Sequence, residues 1–132
     1  MGSTRRALGD RGEDLAIKHL QKRGYKVIEK NYRCRWGEID LIARDRETLV
    51  FVEIKARTSS GFGLPQEAVD GFKQRKLAQV AKAYVAERNV KEAISSRFDV
   101  VAVQLTPSGP KIELIKDAFH LDEHGLAPSL FV

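Results

Sequence analysis

The sequence has 132 residues but only one cysteine, Cys34, which excludes an internal disulfide and a cysteine-rich zinc site. No apolar run approaches the roughly 18 residues that a membrane-spanning helix needs, and the N-terminus lacks the apolar core of a signal peptide. The Gly-Lys-Ser/Thr pattern of a phosphate-binding loop is also missing. These absences predict a cytoplasmic protein with no membrane association.

The composition is that of a soluble globular protein, with 42% hydrophobic and 31% charged residues, and the length predicts one domain over residues 1–132. The net charge of +5 is unevenly distributed. Residues 1–35 hold ten Lys/Arg against four Asp/Glu, whereas residues 100–132 hold two against four. A basic N-terminal third favours a polyanionic partner, although many proteins of this charge bind no nucleic acid.

The hydrophobic periodicity predicts an α/β fold with a mixed central sheet of about five strands flanked by helices, in the order αβββαββ. The first three strands can form a meander, and the second helix can cross over to the fourth strand. The last fifteen residues are weakly patterned, and we expect them to lie along the surface. The predicted elements are helix 4–23, strands 25–33, 38–43 and 49–57, helix 66–89, and strands 97–105 and 111–116.

The two predicted helices each carry an apolar stripe. Gly12 in the first helix would permit close approach of a neighbour. In the second helix Lys73 lies one turn from Val69 and can face inward, as can Gln66. The loop at 58–65 is expected to border the same site. The buried stripe predicted for the second helix consists of Val69, Phe72, Leu77, Val80, Ala81, Tyr84 and Val85.

The third predicted strand is apolar on both faces, as a central strand is, until one face turns into Glu53 and Lys55. If the connection from the preceding strand has an even number of residues, such as Arg46-Glu47, Asp40 lies opposite Glu53 about 5 Å away. Two carboxylates so placed repel unless one is protonated or a cation lies between them. This arrangement favours a divalent metal site, and the alternative is a solvated ion pair of Glu53 and Lys55 on an exposed hairpin.

Glu13 shares the apolar stripe of the first helix, because Ala16, Ile17 and Leu20 follow it at helical spacing. It is either an acidic residue favoured near a helix start or a third carboxylate aimed at the same site as Asp40.

Two further groups of charges are read from the sequence. The run Arg33, Arg35 and Trp36 leads into the charged hairpin, where it can hold phosphate or stack a base, or else supplies packing and solvated surface. Asp99 is interpreted as structural, pairing with Arg97 or capping a neighbouring element.

The segments GEIDLIA, FVEIKAR, FGLPQEAV and RFDVV resemble the YraN-like family of uncharacterised bacterial proteins, from about Gly9 to Lys116. The order of elements and the spacing from Asp40 to Glu53-Ile54-Lys55 resemble the PD-(D/E)XK, restriction-endonuclease-like superfamily. The position of Glu13 on the first helix is similar to the arrangement in archaeal Holliday junction resolvases.

The resemblance implies roles for individual residues. Asp40, Glu53 and the backbone carbonyl of Ile54 would bind magnesium or manganese, and Glu13 would be a further carboxylate near the metal. Lys55 would orient the attacking water or stabilise charge on the phosphate. The superfamily's Pro-Asp pair is replaced here by Ile39-Asp40.

The implied function is metal-dependent hydrolysis of DNA phosphodiester bonds, in branched DNA such as a Holliday junction. The DNA backbone would be held by Arg33, Arg35, Arg57 and Lys73, and cutting both strands of a junction would need a homodimer. Two alternatives remain: a nucleic-acid-binding or accessory protein that keeps the fold without cutting, and a protein-interaction domain with a structural ion pair.

Overall fold

The computed structural model describes residues 3–58, 71–91 and 94–119, and the order of elements in it is the predicted αβββαββ. Most boundaries fall within a few residues of the predicted ones. The elements are α1 (Ser3–Lys22), β1 (Lys26–Cys34), β2 (Gly37–Asp45), β3 (Thr48–Arg57), α2 (Gly71–Glu87), β4 (Ser96–Thr106) and β5 (Gly109–Phe119).

The five strands form one mixed sheet in the order β1-β2-β3-β4-β5. Neighbouring strands are antiparallel except β3 and β4, which are parallel and are joined by the connection that contains α2. The prediction of an α/β fold with a mixed sheet is therefore confirmed. β3 lies at the centre of the sheet, which is why its residues from Leu49 to Glu53 are all buried.

One face of the sheet packs against α1. Ala16 and Leu20 from the helix share a core with Leu41, Val50 and Val52 from the sheet. The predicted close approach at Gly12 is confirmed, since a Cβ atom there would lie 2.8 Å from the Cβ of Ala56. Any larger residue at position 12 would push α1 off the end of β3.

The opposite face packs against α2 and is rich in aromatic rings. The ring of Tyr84 meets those of Tyr32 and Phe51 edge-on, with centroids 5.1 and 5.9 Å apart. Phe98 stacks on Phe119 at 4.4 Å. The two contacts of Tyr84 pack α2 against β1 and β3.

Three expectations about burial are wrong. Phe72 is 62% exposed rather than buried, because its neighbour Lys73 faces the sheet and successive helical residues point about 100° apart. Ile28, which the pattern of the predicted strand 25–33 assigns to the core with Tyr25 and Val27, is 44% exposed in β1. Ala118 and Phe119, expected on the surface, are buried in β5, where a bulge between Phe98 and Val100 lets the strand pairing continue.

Several predicted features fall outside the described residues. They are the loop after Thr58, the start of the second helix at 66–70 with Gln66 and Val69, and the chain from 120 to 132. Among the helices of the described ranges, none is both long and apolar enough to span a membrane.

Candidate active site

The turn between β2 and β3 sets the register of the site. The strands pair from Asp45 opposite Thr48 to Leu41 opposite Val52, so the connection is the two-residue turn Arg46-Glu47. Arg46 has the positive φ of 59° that a tight hairpin turn requires. The connection is therefore even, as the metal-site hypothesis needs, and the recorded pairing ends at Leu41 opposite Val52, one residue short of Asp40 and Glu53.

The carboxyl group of Asp40 lies beside that of Glu53. Asp40 Oδ2 accepts a hydrogen bond from the backbone amide of Ile54, at 2.8 Å. Burial, and then the neighbouring carboxyl of Glu53, raise the pKa of Asp40 to about 8. At neutral pH the Asp40 carboxyl of the metal-free protein therefore stays largely protonated, which is the state expected of a buried acid beside a second carboxyl.

Two lysines complete the cluster. Lys73, in the first turn of α2, places its Nζ 3.2 Å from Glu53 Oε2. Lys55 lies beside Lys73, and burial followed by the influence of that neighbouring cation lowers the pKa of Lys55 to about 8. Burial acts to lower the pKa of Lys73 too, but its contacts with Lys55 and Glu53 outweigh this and raise it. The prediction that Lys73 faces inward is confirmed, and we call these four residues the carboxylate–lysine cluster.

The cluster offers the donors that a hard divalent cation prefers. Magnesium is bound through one or two carboxylates and keeps several waters for the substrate phosphate to replace. Asp40 and Glu53 supply two carboxylates, which is the number that such a magnesium or manganese site uses, and a bound cation would relieve their repulsion. Within the described ranges no group of three His, Cys, Asp or Glu side chains is placed to hold a metal ion. The role of the Ile54 backbone carbonyl as a metal ligand stays a prediction.

Glu13 is not brought into contact with this cluster. It lies on α1, which covers the other face of the sheet, and its ion partner is Lys30, with Nζ 3.8 Å from Oε1. Gly12, beside it, packs on Ala56 near the end of β3. A role for Glu13 as a further carboxylate at the metal stays a prediction.

The basic residues predicted to hold nucleic acid lie at the same end of the sheet. Arg33 bonds Glu38 through Nε at 2.5 Å, on the hairpin of β1 and β2. Arg35, in the turn of that hairpin, lies over the ring of Trp36 at 4.7 Å. Arg57 is exposed at the end of β3, where its Nη1 donates to the carbonyl of Ala56. Together with Lys73 they surround the carboxylates with positive charge.

A second polar cluster, the Arg97 network, lies at the opposite end of the strands. Asp99 accepts hydrogen bonds from the hydroxyl of Tyr25 at 2.8 Å, from Arg97 Nε at 2.9 Å and from the amide of Asp117 at 2.9 Å. Arg97 also donates to Asp45 at 2.7 Å. The structural interpretation of Asp99 as a partner of Arg97 is confirmed. The contributions of Tyr25 and Asp45, from distant parts of the chain, were missed because no local spacing signals them.

Lys76 is exposed, and its Nζ lies 5.4 Å from the ring centroid of the exposed Phe72. The spacing of four residues puts an aromatic and a cation next to each other on one helix face.

The fold and the cluster define a class of small α/β protein, with two carboxyls and two lysines gathered where the central strand of a mixed sheet ends. The chain belongs to the uncharacterised protein family UPF0102, whose sequence profile matches residues 12–103. That range includes the whole carboxylate–lysine cluster and Glu13. The predicted YraN-like family is thereby confirmed.

Relatives in other bacteria cover most of the chain. A UPF0102 protein of Syntrophus aciditrophicus is 50% identical over 113 residues, which are 86% of this chain and 88% of the relative. One from Geobacter sulfurreducens is 48% identical over 115 residues, 86% of this chain and 89% of the relative. A third, from Caldanaerobacter subterraneus, is 46% identical over 111 residues, 84% and 90% of the two chains. The wider superfamily and the likeness to resolvases stay predictions.

Proposed function

We propose that this protein is a metal-dependent endonuclease of the PD-(D/E)XK superfamily that hydrolyses phosphodiester bonds in DNA. One observation carries the proposal: the carboxyl of Asp40, bonded to the backbone amide of Ile54, lies beside the carboxyl of Glu53. The amine of Lys73 is 3.2 Å from Glu53 Oε2, and Lys55 lies next to it. Two carboxyl groups held close together repel each other when ionised, which a purely structural site has no reason to keep. A bound cation relieves the repulsion, so the pair suits a cation-binding site.

In this mechanism Asp40 and Glu53 hold the magnesium or manganese ion. The bound ion supplies an activated water and stabilises negative charge on the phosphate. Lys55 lies two residues from Glu53 on the same strand face, so its amine can donate a hydrogen bond to the attacking water or to a phosphate oxygen. Because its pKa is lowered to about 8, Lys55 can also exchange a proton near neutral pH.

The surrounding cations position the DNA. Arg33, Arg35 and Arg57 are exposed around the cluster and can bind phosphates on either side of the scissile bond. In the metal-free protein Lys73 forms an ion pair with Glu53. Binding that depends on such contacts should weaken steeply as salt rises.

The experiment is cleavage of labelled four-way junctions, flaps, single strands and duplexes, with manganese, with magnesium and with a chelator. We expect cleavage of at least one substrate only when metal is present. Asp40→Asn and Lys55→Met should each lower the rate by about 100-fold or more, as removal of one transition-state contact does. Lys82→Met, at an exposed position of α2, is the matched control and should keep full activity. Cleavage that survives Asp40→Asn would come from a contaminant and would refute the assignment.

A second candidate is a nucleic-acid-binding or accessory protein that does not cut. The ion pair of Lys73 with Glu53 favours it, because the ammonium already supplies a cation to the carboxylates without any metal. This candidate predicts salt-sensitive binding that needs no metal and is unchanged in Asp40→Asn. For the nuclease, cutting both strands of a junction requires two sites, so we expect a homodimer by sedimentation on junction DNA.

A further inference from the structure

Two aromatic rings stand exposed at the end of the sheet that carries the carboxylate–lysine cluster. Trp36 is 44% exposed and Phe72 is 62% exposed. Each ring has its own cation: the guanidinium of Arg35 lies 4.7 Å from the Trp36 centroid, and the ammonium of Lys76 lies 5.4 Å from that of Phe72. We call these four residues the aromatic–basic surface.

The two rings approach the cluster from different elements. Trp36 is in the turn between β1 and β2, and β2 begins at Gly37, three residues before Asp40. At about 3.3 Å per residue, the turn is about 10 Å along the strand from the carboxylate. Phe72 directly precedes Lys73, whose amine contacts Glu53. One ring therefore lies on the sheet side of the cluster and the other on the helix side.

The chemistry of this surface matches one kind of ligand. A protein partner or a membrane would be expected to meet a continuous apolar patch, but here each ring is separated from the other and accompanied by a cation. A ligand that combines flat apolar rings with regular negative charge satisfies both components, and nucleic acid is such a ligand. In a duplex the flat faces of the bases are stacked inside and cannot reach the rings, whereas unpaired bases can stack on them.

We propose that the aromatic–basic surface binds unpaired nucleotides of a single DNA strand, so that the substrate presents single-stranded DNA beside the scissile bond. This inference rests on the proposed function, which it deepens by naming the substrate class. Bases on either side of the cut stack on Trp36 and Phe72, while the adjoining cations hold the phosphates. A continuous blunt duplex engages only the cations and binds more weakly at the same salt.

Binding is measured without cleavage, using the Asp40→Asn protein in a chelator. Trp36 is the only tryptophan in the chain, so its fluorescence reports stacking at that one position. A 12-nucleotide single strand of mixed sequence should quench this fluorescence and bind more tightly than its own blunt duplex. Anisotropy of end-labelled strands gives the affinities, and an RNA strand of the same sequence shows whether the sugar matters.

Substitutions separate stacking from charge. Trp36→Ala and Phe72→Ala should each weaken single-strand binding by about 5- to 100-fold, the range for loss of one base stack, and should leave duplex binding nearly unchanged. Trp36→Phe and Phe72→Tyr keep a ring and should restore most of the affinity. Lys82→Ala, on the exposed side of α2, is the control for general loss of charge.

Equal affinity for single strand and duplex, with no quenching, overturns this inference. So does an equal loss of both affinities in Trp36→Ala, and so does failure to bind either DNA. None of these outcomes depends on catalysis. Conversely, tight single-strand binding by a protein that cuts nothing with any metal refutes the proposed nuclease and leaves the aromatic–basic surface standing.

Discussion

The carboxylate–lysine cluster and the Arg97 network are both polar groups built into one sheet, but they are organised in opposite ways. In the Arg97 network each contact joins a donor to an acceptor: Arg97 lies between Asp45 and Asp99, and Tyr25 donates to Asp99. The cluster has one ion pair, from Lys73 to Glu53, but it also sets like groups side by side: Asp40 lies beside Glu53 and Lys55 beside Lys73.

The difference separates a structural role from a binding role. Asp99 is 1% exposed and accepts from three groups, so the Arg97 network joins β4 to β2, to β5 and to Tyr25, the residue just before β1, without any ligand. Burial and the bond to Asp99 raise the pKa of Tyr25 well above its ordinary value, which keeps that donor protonated. In the proposed function a bound metal ion would complete the charges of the cluster, and perturbed pKa values are typical of such sites.

The largest expected effect breaks the Arg97 network. Asp99→Ala leaves the half-buried Arg97 with Asp45 as its carboxylate partner and removes the acceptor of Tyr25. We expect the free energy of unfolding to fall by about 3–5 kcal/mol, as for one partner lost from a buried ion pair. Urea unfolding measures it, with Glu113→Ala on exposed β5 as the control. A loss below about 1 kcal/mol would show that the network is not a structural lock.

The second prediction is a gain in stability rather than a loss. Because the folded pKa of Asp40 is raised to about 8, its carboxyl lowers the stability of the metal-free protein progressively as pH rises from about 4 to about 8. Asp40→Asn removes that penalty and should stabilise the metal-free protein by about 1–3 kcal/mol at pH 8.

Thermal unfolding at several pH values, with and without manganese, checks this. Manganese should raise the Tm of the wild-type protein and leave that of Asp40→Asn unchanged, because a ligand of the folded state stabilises only the protein that binds it. Destabilisation by Asp40→Asn at pH 8 would instead mark the cluster as a structural unit.

A third, smaller effect concerns acid. The hydrogen bond from Arg97 holds the pKa of Asp45 below its usual value, against a smaller effect of burial. A carboxyl with a depressed folded pKa contributes stability above its unfolded pKa of about 3.9 and loses it as pH falls through the folded value. Asp45→Asn should therefore flatten the fall in stability below about pH 4. If the stability of Asp45→Asn falls below about pH 4 as steeply as that of the wild-type protein, Asp45 does not titrate as part of the network.

The smallest stability effect is expected at Glu13. Its contact with Lys30 is at the surface, and such pairs contribute less than about 1 kcal/mol. Glu13→Gln should leave Tm nearly unchanged, and Asp14→Asn, exposed on the same helix, is the control. If Glu13 is a further carboxylate at the metal, the same variant lowers the rate of metal-dependent cleavage. If Glu13→Gln cleaves at the wild-type rate, Glu13 has no role beyond its ion pair with Lys30.

Local pattern was enough to predict the elements and the central pairing. The sequence shows where β3 changes from apolar to charged residues. It predicts that Asp40 approaches Glu53 if the turn has an even number of residues, and the turn Arg46-Glu47 meets that condition. Lys73 was predicted to face inward from its place one turn after Val69. Phe72 was misassigned, since helical periodicity gives the angle between residues but not which of them meets the sheet.

The sequence by itself determined the order of elements, the register of the central hairpin and the types of charge near its end, because these depend on neighbours within a strand, a helix or a turn. Only the tertiary structure decided which side of the sheet Glu13 and Lys73 occupy and which residues close around Arg97. Those contacts join positions up to 74 residues apart. They follow from how the helices pack on the sheet, for which a single sequence carries no local signal.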